Sequence, residues 1–376
     1  MVIEISPKER DESSDLTRLN VRYDRGSFDT PMRIVTRNDL NAKDNLGINI
    51  PLTRDRPVFI YEEYINEEIV NNILTKNGYL SQMLNRIREF LDRTETSGAL
   101  KLFYPKLTNK LLNDISTEKL NSVRNFIKDL SDNINIDALI MNFSILDNNL
   151  IENMDKPIIP VLKIDGNEGY TIVRNNLDQL IEISSQNIPF VGISYASYPR
   201  ANLSYNYIRA RLDKIHENNK GIITLDAPRR TLNQIDNEIS SLHYSSFMVS
   251  DLVSERFYPS GGGKKTALRI FDRKNLALPN LDNSISEASE DDIISYFSND
   301  PRIQELYERF KSNQLSERDI AKNRGQYMSR IHENLASSKE YRIMVEEIKS
   351  QNLREYRISK KRLNNLLIKE KFLNEK

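Results

Sequence analysis

The 376-residue chain contains no cysteine. That excludes disulfides, a thiolate nucleophile, and any zinc or iron–sulfur site built on cysteine. Histidine is scarce: His216, His243 and His332 lie far apart and show no ligand spacing such as HxxxH. Excess charge of either sign is missing too, because 54 Lys and Arg balance 54 Asp and Glu. The whole molecule therefore exerts no pull on nucleic acid or anionic lipid, and such binding must come from a local patch. No apolar run approaches the roughly 18–20 residues that span a bilayer. The N-terminal MVIEISPKERDESSD is polar and acidic, unlike a secretory signal. A soluble cytoplasmic protein that needs no cofactor and no membrane is the expectation.

What the chain does contain is alternation. Residues up to about Arg25 are charged and lack a clear period, so residues 1–25 read as a mobile arm. Short β-branched runs then follow at Met32–Thr36, Pro57–Tyr61, Leu100–Tyr104, Ala138–Ile145, Ile158–Ile164, Phe190–Tyr195, Ile222–Leu225 and Phe247–Val253. Amphipathic stretches separate most of them, as at Ile69–Leu91, Leu111–Leu130, Ile172–Ile183 and Tyr205–Ile215. Strand–helix alternation predicts parallel strands joined by crossover helices. Eight such strands in about 250 residues fit an α/β fold of the closed (β/α)8, TIM-barrel type. An open doubly wound sheet is the alternative. The barrel domain is expected over residues 26–283. Near Asp282 the chain turns polar and acidic, and residues 284–376 read as a helical extension. Its end, Arg354–Lys376, carries eight basic and three acidic residues. That suits either phosphate contact or a solvated helix face.

Two stretches carry a resemblance. In Met248–Asp282, Asp251, Val253, Arg256, Gly261–Gly263, Leu268-Arg269-Ile270 and Pro279…Leu281-Asp282 follow one another in order. In Arg330–Tyr356 the corresponding residues are His332, Asn334, Leu335, Met344, Ile348 and Tyr356. In this order they resemble the tRNA-guanine transglycosylase superfamily. Gly26–Pro31 and Arg56-Pro57-Val58 are similar to that family's N-terminal turn and following strand. The chain departs from the family in lacking the three cysteines of its zinc site. It also has Tyr61-Glu62-Glu63-Tyr64 where the family has Asp-Ser-Gly-Gly, Gly192-Ile193-Ser194 for the Gly-Gly-Leu loop, and Asp165-Gly166 for Gln-Gly.

The resemblance implies exchange of guanine for a 7-deazaguanine base in DNA or tRNA. Such a reaction needs a carboxylate at C1′, where oxocarbenium character develops, and a second group to carry the proton of the bases. It assigns Asp251 as nucleophile, with turn capping as the structural alternative. Glu62 becomes the acid/base, with a salt-bridged strand-end glutamate as its alternative. Asn142, Asp165, Gly192 and Ser194 would face the base, although Asp165 also suits its DGN turn. Arg256, Lys264, Lys265, Arg269 and Arg273 would face phosphate, or belong to a plain basic hairpin. Asp226 and Ser144 also fall near strand ends. Rival readings are a non-catalytic paralogue that binds nucleic acid or an active partner subunit, and an unrelated barrel enzyme for a small metabolite. A homo- or heterodimer fits the family. Without cysteine, the purified protein should carry no stoichiometric zinc. Elemental analysis checks this, and about one zinc per chain would reveal an oxygen- and histidine-based site.

Overall fold

The computed structural model describes residues 2–369 except 13, 55, 109–110, 113–116, 153, 165–169, 184–187, 196–199, 228–238, 256–267 and 281–299. Nine parallel segments form one sheet: β4 (Met32–Arg33), β12 (Leu252–Glu255), β11 (Gly221–Ala227), β10 (Phe190–Tyr195), β9 (Ile158–Ile164), β8 (Ala138–Asn142), β7 (Leu100–Leu107), β6 (Val58–Ile65) and β5 (Val35–Thr36). Only Ile34 separates β4 from β5, and its N–H donates to the Val253 carbonyl at 2.8 Å. The two segments are thus halves of one strand, and eight strands close a barrel. The (β/α)8 architecture expected from the alternation is the one observed.

Each strand splits its side chains between two layers. Val58 and Ile60 of β6 point inward with Leu100, Leu102, Ala138, Ile140, Ile159, Val161, Phe190, Ile223 and Leu252. Phe59, Tyr61 and Ile65 face the helices outside. Because both faces are buried, the strands read as nearly continuous apolar runs rather than alternating ones.

Two expectations need correction. Residues 1–25 are not a mobile arm. Strands β1 (Glu4–Asp11), β2 (Leu16–Tyr23) and β3 (Gly26–Asp29) form an antiparallel sheet. Ile5, Leu19, Val21, Tyr23 and Phe28 from it join the inner apolar cluster of the barrel and plug its N-terminal end. The signal was there, since Leu19, Val21 and Tyr23 alternate with Asn20 and Arg22. Abundant charge on the other face hid it. The eighth strand also begins later than expected. Ser241–Met248 is a wholly buried helix, and the strand is Leu252–Glu255. An apolar run buried on all sides has the same composition as a helix or as a strand.

Beyond the barrel, helices Pro301–Lys311, Glu317–Ala321, Arg324–Lys349, Leu353–Ser359 and Lys361–Lys369 make up the helical extension. Met328, Ile331, Leu335, Met344 and Ile348 of the long helix share the outer core with the barrel's helices. Leu363, Leu366 and Leu367 anchor the final helix. No described helix is long and apolar enough to cross a membrane. The plug generates a test. Leu19 is fully buried, so Leu19→Ala should cost about 2–5 kcal/mol in urea unfolding. A change under 0.5 kcal/mol would mean that the hairpin is peripheral.

Candidate active site

The barrel interior changes character along the strands. Its apolar layers give way at the C-terminal ends to Glu62 and Tyr64 (β6), Lys106 (β7), Asn142 (β8), Lys163 (β9), Ser194 (β10), Asp226 (β11) and Ser254 (β12). In (β/α)8 proteins this end bears the chemistry, whereas the opposite end serves stability.

Asp226 reaches the interior by a local irregularity. The pairing of β11 with β12 slips between Thr224 and Ala227. Asp226 itself has φ of +55°. A regular strand would send Asp226 outward, after the inward Leu225. The bulge turns two consecutive side chains inward, and bulges of this kind re-aim side chains beside functional sites. Inside, Asp226 Oδ1 pairs with the Lys106 ammonium from across the barrel, and Oδ2 accepts from Ser194 Oγ at 2.6 Å. The Lys106 Nζ also lies 5.3 Å from the Tyr64 ring centroid and 5.8 Å from that of Tyr104. Burial alone would lower the Lys106 ammonium's pKa, but Asp226 and Glu62 outweigh it and hold it above the ordinary lysine value.

Glu62 is in a different state. It is buried, and neither carboxyl oxygen has a hydrogen-bond partner among the described residues. Burial pushes its pKa up to about 8, against the pull of Lys106 and Arg330 and with help from Asp226. It therefore holds its proton at neutral pH and presents both a donor and an acceptor. The Ser254 hydroxyl is likewise buried without a partner among the described residues.

A charged network lies behind the mouth, where the barrel closes. Arg33 is fully buried, 3.5 Å from both Asp39 and Glu255 and 3.7 Å from Glu333. Arg330, from the long helix, adds contacts of 2.8 Å to Asp39 and 3.1 Å to Glu255. Burial would raise the Asp39 carboxyl's pKa; Arg330 and Arg33 outweigh it and hold it below the usual value.

Of the residues picked out in the sequence, Glu62, Asn142 and Ser194 come together at the mouth. Asn142 Oδ1 accepts from the N–H and hydroxyl of Ser144 at 3.1 and 2.8 Å, capping the turn that follows β8. Gly192 lies in the barrel wall, where a Cβ would overlap the Val161 side chain, so it serves close strand packing. Asp251 is at the wrong end. It precedes β12, and its Oδ2 accepts from the Ile222 N–H at 2.7 Å, beside the start of β11. Thr30 Oγ1 at 3.3 Å and His216 Nε2 at 3.4 Å complete its surroundings. It ties strand starts and the plug together, as the turn-capping alternative has it. The late start of β12 is the reason: Glu255, not Asp251, reaches the C-terminal end.

Arg273 is also engaged elsewhere. Its Nε pairs with buried Glu340 at 2.8 Å, fastening the segment 268–280 to the long helix. The Arg269 carbonyl accepts from Ser329 Oγ at 2.5 Å in the same segment. Asp165, Arg256, Lys264 and Lys265 lie outside the described residues. His332, part of the resemblance, is buried against Tyr307 with ring centroids 6.1 Å apart, and serves packing. Lys106 and Ser254 carry no motif that marks them in the sequence, and Asp226 is marked only by its place near a strand end. Their common signal is a polar residue in the inward register just after apolar inward positions.

No family model matches the chain, and no curated protein matches it. The state of Glu62 can be tested through stability. A carboxyl whose folded pKa is raised adds stability below its unfolded value, here near 4.5, and loses it as pH rises through the folded value, about 8. Wild type should therefore weaken between pH 4.5 and 8, relative to Glu62→Gln, by a few kcal/mol at about 1.4 kcal/mol per pKa unit. Parallel curves for the two proteins in urea unfolding across that range would show an ordinary, ionised Glu62.

Proposed function

We propose that the chain is a glycosyl-transferring barrel enzyme of the guanine transglycosylase kind, exchanging guanine in a nucleic acid for a 7-deazaguanine base. The observation that carries this reading is one pair of carboxyls at the mouth kept in opposite roles. Asp226 is oriented on a bulge by a lysine and a serine, and Glu62 is buried and protonated. A buried acid that keeps its proton beside a second carboxyl held by a lysine and a serine suits an acid and a nucleophile working together. The order of sequence motifs described above supplies the choice of nucleoside over another glycoside.

The role assigned to Asp251 passes to Asp226. The Asp226 carboxylate attacks C1′, and the C1′–N9 bond breaks with its electron pair leaving on the purine. Glu62 gives its proton to that base. The incoming 7-deazaguanine returns its N9 proton to Glu62 and attacks C1′, and the Asp226–C1′ ester bond breaks. A pKa of about 8 suits Glu62 to exchange protons near neutral pH. Lys106 holds Asp226 in place and leaves the step as it entered. Because Asp226 holds Lys106 in its protonated form, Lys106 is unsuited to imine chemistry. The target nucleotide must leave its stack to enter the mouth, at a cost of a few kcal/mol.

The test follows release of labelled guanine from tRNA and from duplex DNA with a 7-deazaguanine present. Asp226→Asn should reduce exchange by orders of magnitude, and Glu62→Gln by roughly 10²–10⁴-fold. Asp251→Asn should keep it within a few-fold. Loss with Asp251→Asn and none with Asp226→Asn would reverse the assignment. No release by wild type from either nucleic acid would leave a non-catalytic binding protein as the better reading.

A further inference from the structure

Among the described residues of the network, Arg330 is the one whose charge acts on Glu62 as well as on the carboxylates of the closure seam. Its guanidinium is fixed on two sides. Nε donates to Asp39 Oδ1 at 2.8 Å. Nη2 lies 3.1 Å from Glu255 Oε2 and donates to Thr36 Oγ1 at 3.2 Å. Thr36 ends β5, so this last bond places the group at the C-terminal rim of the barrel. Asp39 and Glu255 are themselves buried and held by Arg33. The third nitrogen, Nη1, has no partner among the described residues, and the side chain keeps 17% of its exposure. The cation is near enough to Glu62 for its charge to act on that carboxyl.

A guanidinium offers five donors in a rigid fork. Here three contacts set the plane, and the Nη1 N–H pair of this partly exposed side chain is left over at the C-terminal rim, within electrostatic reach of Glu62. Fixed guanidinium groups of this kind recognise phosphate oxygens, and lysine does not reproduce the geometry. We propose that Arg330 is an anchoring residue for a phosphate group of the ligand that enters the barrel mouth. The proposal rests on the mouth being the nucleotide site, and it names Arg330 as the residue by which the long helix completes that site.

The experiment measures binding of guanosine, 5′-GMP and inorganic phosphate to the full chain by calorimetry, for wild type, Arg330→Lys and Arg330→Gln. Arg330→Lys keeps a cation between Asp39 and Glu255, so it guards against simple unfolding, and its thermal midpoint is measured alongside. Wild type should bind 5′-GMP at least tenfold more tightly than guanosine. Both variants should lose that preference, and Arg330→Lys, which keeps the cation between Asp39 and Glu255, should bind guanosine within a few-fold of wild type. A preference that survives in a folded Arg330→Lys overturns the anchor, as does wild type showing none. Guanosine binding without any phosphate preference overturns the anchor and leaves the base-exchange reading standing. Phosphate binding that needs Arg330, with no guanosine binding, upholds the anchor and removes that reading. Binding of none of the three overturns both.

Discussion

Closure of the sheet between its last and first strands is the constraint on which the rest depends. The N–H groups of Met32 and Ile34 donate to the carbonyls of Asp251 and Val253, both at 2.8 Å. Without these bonds the sheet would be an open one with two exposed edges, and no ring of strand ends could face a common centre. Charge guards the same seam. Arg33 projects outward from β4 and is fully buried among Asp39, Glu255 and Glu333, and Arg330 crosses from the helical extension to meet them. Removing one member would strand the others as uncompensated buried charges. The network therefore binds the extension to the barrel in one register.

The two ends of the barrel are built for different ends. At the N-terminal end, the three-stranded sheet fills the opening with apolar side chains, and Asp251 satisfies backbone and side-chain donors from β11, the Thr30 turn and His216. At the C-terminal end, polar groups are left with capacity to spare. The carboxyl of Glu62 and the hydroxyl of Ser254 are buried without partners among the described residues. Such groups are costly to a fold, at about 1–3 kcal/mol each, and a bound ligand with matching donors and acceptors would offset that cost. Lys106 and Asp226 pair across the barrel at the same end, so an ion pair rather than an apolar layer crosses the space there.

Much of the architecture could be read from the chain. Seven of the eight strand positions follow from short β-branched runs, because parallel strands buried on both faces must be apolar throughout. The change to helix beyond residue 300 also follows from composition. The N-terminal hairpin escaped because its buried face offers only a few alternating residues among many charges. Phe247–Val253 misled because an all-round apolar segment has no period to distinguish helix from strand. That one error of register moved Asp251 from the floor of the barrel to its mouth.

Within the site, Glu62, Asn142 and Ser194 were legible as polar residues ending apolar strands. Their protonation and partners were not. Whether Glu62 is an ionised surface glutamate or a buried acid depends on the loss of water around it and on the charges of Lys106, Asp226 and Arg330, which come from distant parts of the chain. Asp226 faces inward only because of a bulge, and no spacing in the sequence announces a bulge that has no glycine. The sequence by itself determined seven of the eight barrel-strand positions, their alternation with helices and the apolar interior, since these follow from local pattern and burial. Tertiary structure alone decided which carboxylates share the mouth and which one ties the floor, because that depends on where each strand begins and on charges brought together from across the barrel.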